Sequence, residues 1–193
     1  MILEDIENFV PLNKEEETDK KVLIRFIRDN PDYLLRTNPI GHFSSSAWIV
    51  NEDFSKVLMC YHRIYDSWSW CGGHADGDGN LLEVAVREVK EETGLSDIKV
   101  LSDKIFSIEC LHVMGHYKNG RYVSSHLHFN LTYLIQADER EKLVIKPDEN
   151  KDLAWFTLDQ VLTEPSETWM VEHIYKKELE KTRLFLEESE NFR

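Results

Sequence analysis

The chain has 193 residues, is 41% hydrophobic and carries a formal net charge of −13, enough for one sizeable core and too little for a second full domain. So acidic a chain argues against a broad nucleic-acid footprint and an anionic membrane surface, and it holds no run of eighteen apolar residues to span a bilayer. Its cysteines, Cys60, Cys71 and Cys110, are odd in number and lack CxxC spacing, so neither a disulfide framework nor a thiolate zinc site is expected, and a reducing, cytoplasmic setting fits best.

The opening MILEDIENFV has acids where an export signal has a basic and then apolar run. Residues 14–29 put Val22, Leu23, Phe26 and Ile27 at helical spacing behind an acidic first turn, which predicts an amphipathic helix. Asn30-Pro31-Asp32 stops it. Residues 1–41 then form a helical extension that covers the core, shapes a substrate mouth or builds a homodimer contact. From His42 the period becomes that of strands: HFSSSAWIV and KVLMCYH, parted by the turn-like NEDFS, predict an antiparallel pair. Of the next aromatics, Trp70 is expected to pack, while Trp68 is open to packing or to stacking on a base.

A loop, GGHADGDGN, runs directly into LLEVAVREVKEETGL. On a helix Glu88, Glu91 and Glu92 stand at i, i+3 and i+4 and share one face. Like charges at that spacing cost roughly 0.2–0.5 kcal/mol per pair, a penalty that a divalent cation would reverse; a solvated charged face is the plainer alternative. Leu82, Ala85, Val86 and Val89 form the apolar stripe, and Gly94 is placed to end the helix. Asp76, Asp78 and Asn80 imitate the start of a calcium loop, but the sixth position is Leu81 and the twelfth is Arg87, so that motif fails. Gly77 and Gly79 instead permit a tight turn, with Asn80 or Asp78 as cap.

Beyond the helix, IKVLSDKIFSIECLHVMGH predicts one long or kinked strand, followed by the turn Lys118-Asn119-Gly120 and the strand RYVSSHLHFNLTYLIQAD. There Leu127, Phe129, Leu131, Tyr133 and Ile135 alternate with His126, His128, Asn130 and Thr132. His126 and His128 point the same way, about 7 Å apart along the strand. Such a pair can hold a transition metal or a substrate phosphate, with His112 and His116 on the neighbouring strand; a polar sheet face is the simpler reading. PDENKDLAWFTLD gives an acidic loop, a strand and a helix start. From Ser166 to Glu187, Trp169, Ile174, Leu179, Leu184 and Leu186 predict a helix capping the sheet.

Gly73 and Arg87-Glu88-Val89-Lys90-Glu91-Glu92-Thr93-Gly94-Leu95 together resemble the signature of the Nudix hydrolases: glycine, five residues, glutamate, seven residues, then Arg-Glu-apolar-x-Glu-Glu-x-Gly-apolar. Eight of nine specified positions match; the first glutamate falls on Gly79. In the family that glutamate holds the arginine, a task left here to Glu83 or Asp78. The resemblance implies a Nudix α/β/α sandwich with a mixed sheet over residues 42–165, plus added N-terminal and C-terminal helices, the last over 166–193. It also implies Mg2+ or Mn2+, which would neutralise a pyrophosphate and acidify the attacking water. Glu88 and Glu92 are then leading metal ligands, Glu91 a ligand or base, Arg87 the group that positions them, Gly73 a backbone ligand or loop former, and Glu149 a reserve base, with Asp152 as its competitor. The implied activity is hydrolysis of a nucleoside diphosphate linked to another moiety. The alternatives are a catalytically weak nucleotide-binding or regulatory module, kept alive by Gly79, and an isopentenyl diphosphate isomerase-like enzyme, which would need a cysteine facing the diphosphate.

Overall fold

Most of the predicted periodicities become elements in the computed structural model, which describes residues 2–63, 66–118, 120–147 and 150–191. The order is α1 (Ile2–Asn8), α2 (Lys14–Asp29), β1 (Gly41–Val50), β2 (Lys56–His62), β3 (Ser67–Ser69), β4 (Cys71–His74), α3 (Leu81–Thr93), β5 (Ile98–Val100), β6 (Ser107–Val113), β7 (His116–Lys118), β8 (Arg121–Val123), β9 (His126–Ala137), β10 (Asn150–Thr157), α4 (Leu158–Thr163), α5 (Thr168–Met170), a π-helical segment (Val171–Tyr175) and α6 (Lys176–Asn191). These elements form two compact units, residues 1–46, 72–86 and 102–133 in the first, and 47–71, 87–101 and 134–193 in the second. The class is α/β, with helices at both termini.

In the first unit β1 lies between β4 and β9, and β6 pairs with the far edge of β9. The β1 and β9 strands run parallel: Leu127 N–H donates to Ile40 O, and four to five residues on, the Ser45 hydroxyl donates to Leu131 O. Since β6 is antiparallel to β9, from Ser107 opposite Thr132 to Val113 opposite His126, the sheet is mixed. Helix α2 starts at Asn13, whose side chain accepts from Glu16 N–H. It packs through Leu23 and Phe26, the latter 4.2 Å from the Phe129 ring, a burial worth about 1.5–3 kcal/mol. Thus this part of the extension covers the core. The buried stripe is narrower than predicted, for Val22 is 39% exposed. Glu16, seven residues before Leu23 and so on the same face, is buried instead and accepts from the Ser107 hydroxyl. Helix α1 has no counterpart among the predicted elements, although Ile2 and Ile6 sit one turn apart and both are buried.

In the second unit β10, β2 and the end of β1 form an antiparallel run, β3 adds to β2, and β5 pairs with the end of β9. The long strand predicted from Ile98 onward is therefore two strands. Ser102, Asp103 and Lys104 interrupt it with a side-chain turn, Ser102 Oγ accepting from Lys104 N–H. The C-terminal helix also departs from its predicted face. Its π-helical turn inserts an extra residue and rotates the helix beyond it, so that Val171, Ile174, Tyr175, Lys177 and Thr182 are buried while Trp169 is 52% exposed. Trp48 Nε1 donates to Thr182 Oγ1 across this packing.

One expectation is overturned. Cys60 and Cys71 form a disulfide with Cα atoms 6.1 Å apart, a separation that suits the bond. Sequence spacing hid it, because the pair is made by β2 folding back on β3, which places Cys60 opposite Ser69, two residues before Cys71.

Candidate functional site

The loop before α3 is held by local chemistry. Asp76 and Gly77 take left-handed backbone, at φ 49° and 92°, the Asp78 carboxylate accepts from Asn80 N–H in a side-chain turn ahead of the helix, and the Asn80 side chain accepts from Glu83 N–H, so of the two proposed capping groups Asn80 caps α3 and Asp78 shapes the loop. Arg36 grips Asp76 in a two-pronged ion pair. Gly72 is where a glycine is needed: a Cβ there would lie 2.5 Å from Ser46 Oγ and 2.6 Å from Ser45 O. At Gly79 a Cβ would meet nothing within 4 Å. Gly73 lies beside Gly72 on β4.

Helix α3 buries Leu81, Val84, Ala85 and Val89, a stripe shifted from the predicted one, with Leu82 and Val86 only half-buried. Gly94, at φ 72°, ends the helix as predicted, its N–H reaching Lys90 O. The three carboxylates on the outer turns have three different surroundings. Glu88, 14% exposed, lies 3.8 Å from the Arg87 guanidinium. Glu91 is exposed and pairs with Lys146 Nζ at 3.2 Å. Glu92 is 5% exposed, and its Oε2 accepts from Asn150 Nδ2 at 3.2 Å. Asn150 is fully buried, and its Oδ1 has no hydrogen-bond partner.

Among the described residues, His, Cys, Asp or Glu side chains with ligand atoms all within 4.8 Å of one another form two trios, His42-His74-His128 and Cys60-Cys71-Glu92, the second with both sulfurs in the disulfide and so without a thiolate to offer; the three helix glutamates are not such a trio. Glu149 lies outside the described residues. Asp152 is exposed, with its carboxylate on its neighbour's Leu153 N–H. The residue that reaches Glu92 from β10 is Asn150, which sequence reasoning missed. Hard divalent ions take oxygen donors; the glutamates and the orphaned Asn150 carbonyl are such donors, so the residues present fit one by donor type, with the three carboxylates standing apart.

A family model, the NUDIX domain, matches residues 42–177. The chain belongs to the Nudix family. It is 26% identical over 163 residues to the probable DHNTP pyrophosphohydrolase of Lactococcus lactis subsp. cremoris (strain MG1363), spanning 83% of this chain and 90% of that protein. A shorter stretch of 60 residues is 38% identical to the m7GpppN-mRNA hydrolase of Saccharomyces cerevisiae, covering 31% of this chain and 6% of that protein. Among solved structures, a C. elegans Ap4A hydrolase superposes with TM-score 0.54 at 17% identity, covering 75% of this chain and 96% of that one. The MutT protein from Methanosarcina mazei Go1 gives 0.54 at 18%, covering 76% and 96%. These share the Nudix fold. As a Nudix hydrolase, the chain belongs with enzymes of phosphoanhydride bonds.

The Nudix chain also gathers histidines. His126 and His128 do face the same way, with Nε2 atoms 3.2 Å apart. Their neighbours are His42 on β1 and His74 on β4, the latter with Nε2 3.3 Å from that of His128; His112 is exposed on β6. Burial, helped by His126 and Arg36 and opposed by Asp76, pulls His42 down to about 4. Burial and then the charges of His74, His42, His126 and Arg36 take His128 down to about 2. Both rings are therefore neutral at neutral pH. The remaining thiol, Cys110, is pushed up to about 12 by burial and by Asp19, whose carboxylate accepts from its N–H.

Proposed function

We propose that this Nudix hydrolase is a divalent-metal-dependent pyrophosphohydrolase of a small nucleotide-type substrate, with Mg2+ or Mn2+ as the working ion. The observation that carries the reading is the innermost box carboxylate, Glu92, buried beside the unsatisfied Asn150 Oδ1. A bound divalent ion supplies charge neutralisation of the pyrophosphate and acidification of the attacking water. Glu88 and Glu92 are the proposed ligands. Asn150, donating to Glu92 Oε2, orients that carboxylate. Arg87 steadies Glu88. Glu91 serves as ligand or base once it leaves Lys146, Gly73 contributes backbone, and Glu149 stays the reserve base. The L. lactis relative makes DHNTP the first substrate to try.

Gly79 favours a second reading, a catalytically weak nucleotide-binding module, because open space stands where the family has a glutamate side chain. An isomerase-like chemistry finds little support in the cysteines: two are in a disulfide and the third is held protonated.

The test is product release from DHNTP, dinucleoside polyphosphates, nucleotide sugars and nucleoside triphosphates, with Mg2+, with Mn2+ and with chelator. Metal-dependent release of a pyrophosphate-cleavage product from one class, lost in Glu92→Gln, is the expected result. No turnover on any class, with nucleotide binding intact, would replace this reading by the second.

A further inference from the structure

We propose that His42, His74 and His128, with His126 as the fourth donor, form a binding site for a divalent transition-metal ion, Zn2+ foremost, separate in its ligands from the carboxylates of the Nudix box. Three strands of one unit supply it. Because β1 runs between β4 and β9, His42 is flanked by His74 on one side and by His126 and His128 on the other, with the four ring centroids in contact at 4.8–5.1 Å.

Distances match the ion. Zinc–imidazole bonds of about 2.0–2.1 Å in a tetrahedron put neighbouring ligand nitrogens about 3.3 Å apart; the Nε2 atoms of His128 and His74 are 3.3 Å apart, and those of His128 and His126 are 3.2 Å apart. Hydrogen bonding alone serves this arrangement poorly. His126 Nδ1 lies 2.8 Å from Ser124 O, a carbonyl that can only accept, so in the neutral ring the Nε2 lone pair is turned toward His128. His128 Nε2 carries at most one hydrogen, which cannot be directed along both of its contacts at once.

His42 is a second, independent sign. The side chain is 3% exposed, and neither ring nitrogen has a hydrogen-bond partner, the Asn38 backbone exerting only a minor pull. A buried imidazole without partners is costly unless something ligates it. The Nδ1–H of His126 on a backbone carbonyl is the outer contact that fixes a ligating tautomer. Imidazole sets suit zinc, copper, iron and nickel, whereas magnesium and calcium favour oxygen. The nearby positive charge of Arg36 is matched by Asp76.

The experiment uses the full chain, stripped with chelator, dialysed and titrated with Zn2+ and with Co2+ alone, without nucleotide. One equivalent is expected to bind, Co2+ giving the intense visible bands of a tetrahedral nitrogen site, and Zn2+ shifting the histidine 15N resonances of the wild-type protein. His128→Asn and His126→Asn, with folding checked by circular dichroism, should lower Zn2+ affinity, His128→Asn by more than about 100-fold, since even outer-shell partners of a metal cost about 10- to 100-fold. Glu92→Gln should retain the Co2+ spectrum, which separates this site from the proposed catalytic one. Absence of stoichiometric binding and of any 15N shift in the wild type overturns the proposal. So does binding lost in Glu92→Gln but kept in His128→Asn, or a cluster that binds pyrophosphate and no metal.

Discussion

Two regions of this molecule offer metal-binding atoms in opposite ways. Glu88, Glu91 and Glu92 come from two turns of one helix, yet their carboxylates end in three environments: one beside an arginine, one on a surface lysine, one buried on an asparagine. The histidines come from three strands 32 to 86 residues apart in sequence, yet three of them bring ligand atoms within 4.8 Å of one another. A shared helix face brings Cβ atoms together and leaves long, charged side chains to diverge by repulsion. Strand pairing fixes short, rigid rings at set spacings, and no repulsion parts them while they are neutral.

The contrast breaks most directly at Glu92. Glu92→Gln should lower kcat/KM by about 10²- to 10⁴-fold, the range for one group engaged in the chemistry, with thermal stability little changed because Asn150 keeps a hydrogen-bond partner. Loss of less than tenfold would mean that the spread box carboxylates do not converge on a substrate. Gly72→Ala probes the strand backbone on the histidine side. Its Cβ would press on the backbone and side chain of Ser45 and Ser46, so a loss of about 1–3 kcal/mol in denaturant unfolding is expected; an unchanged midpoint would show that β4 shifts easily from β1.

Asn150→Ala sharpens the box side of the comparison. As a positioning residue it should raise the Mg2+ concentration for half-maximal rate by about 10-fold or more, with KM for the nucleotide unchanged, and Asn150→Asp should recover part of the metal affinity. A uniform fall in activity at every Mg2+ level, with a lowered melting temperature, would reduce Asn150 to a packing role.

Legibility in the sequence divides along the same line. The α3 box, the α2 helix and the β9 strand are patterns within one element, and each element is observed, although β9 is buried on both faces from Phe129 to Ile135, so its predicted polar side, Asn130 and Thr132, lies inside. Asn150 was hidden because a bulge between Asn150 and Asp152 breaks the two-residue alternation, so the amide turns inward and the more suggestive acid turns out. His42 and His74 were hidden because nothing local marks β4 and β9 as the two neighbours of β1. The π-helical turn, likewise, leaves no periodic trace while rotating every residue after Tyr175.

Gly79→Glu is the smallest change and bears on how far a motif position alone matters. The site has room, since an added Cβ meets no atom within 4 Å, and its backbone is not left-handed. Stability should therefore move by no more than about 0.5 kcal/mol. If the family's glutamate acts by holding Arg87 and through it Glu88, restoring the carboxylate should raise kcat/KM by up to about tenfold at fixed Mg2+, and Arg87→Gln should abolish that gain. An unchanged rate in Gly79→Glu would instead assign the arginine's restraint to Glu88 itself, already 3.8 Å away, and would show that this chain has dispensed with the first glutamate of its signature.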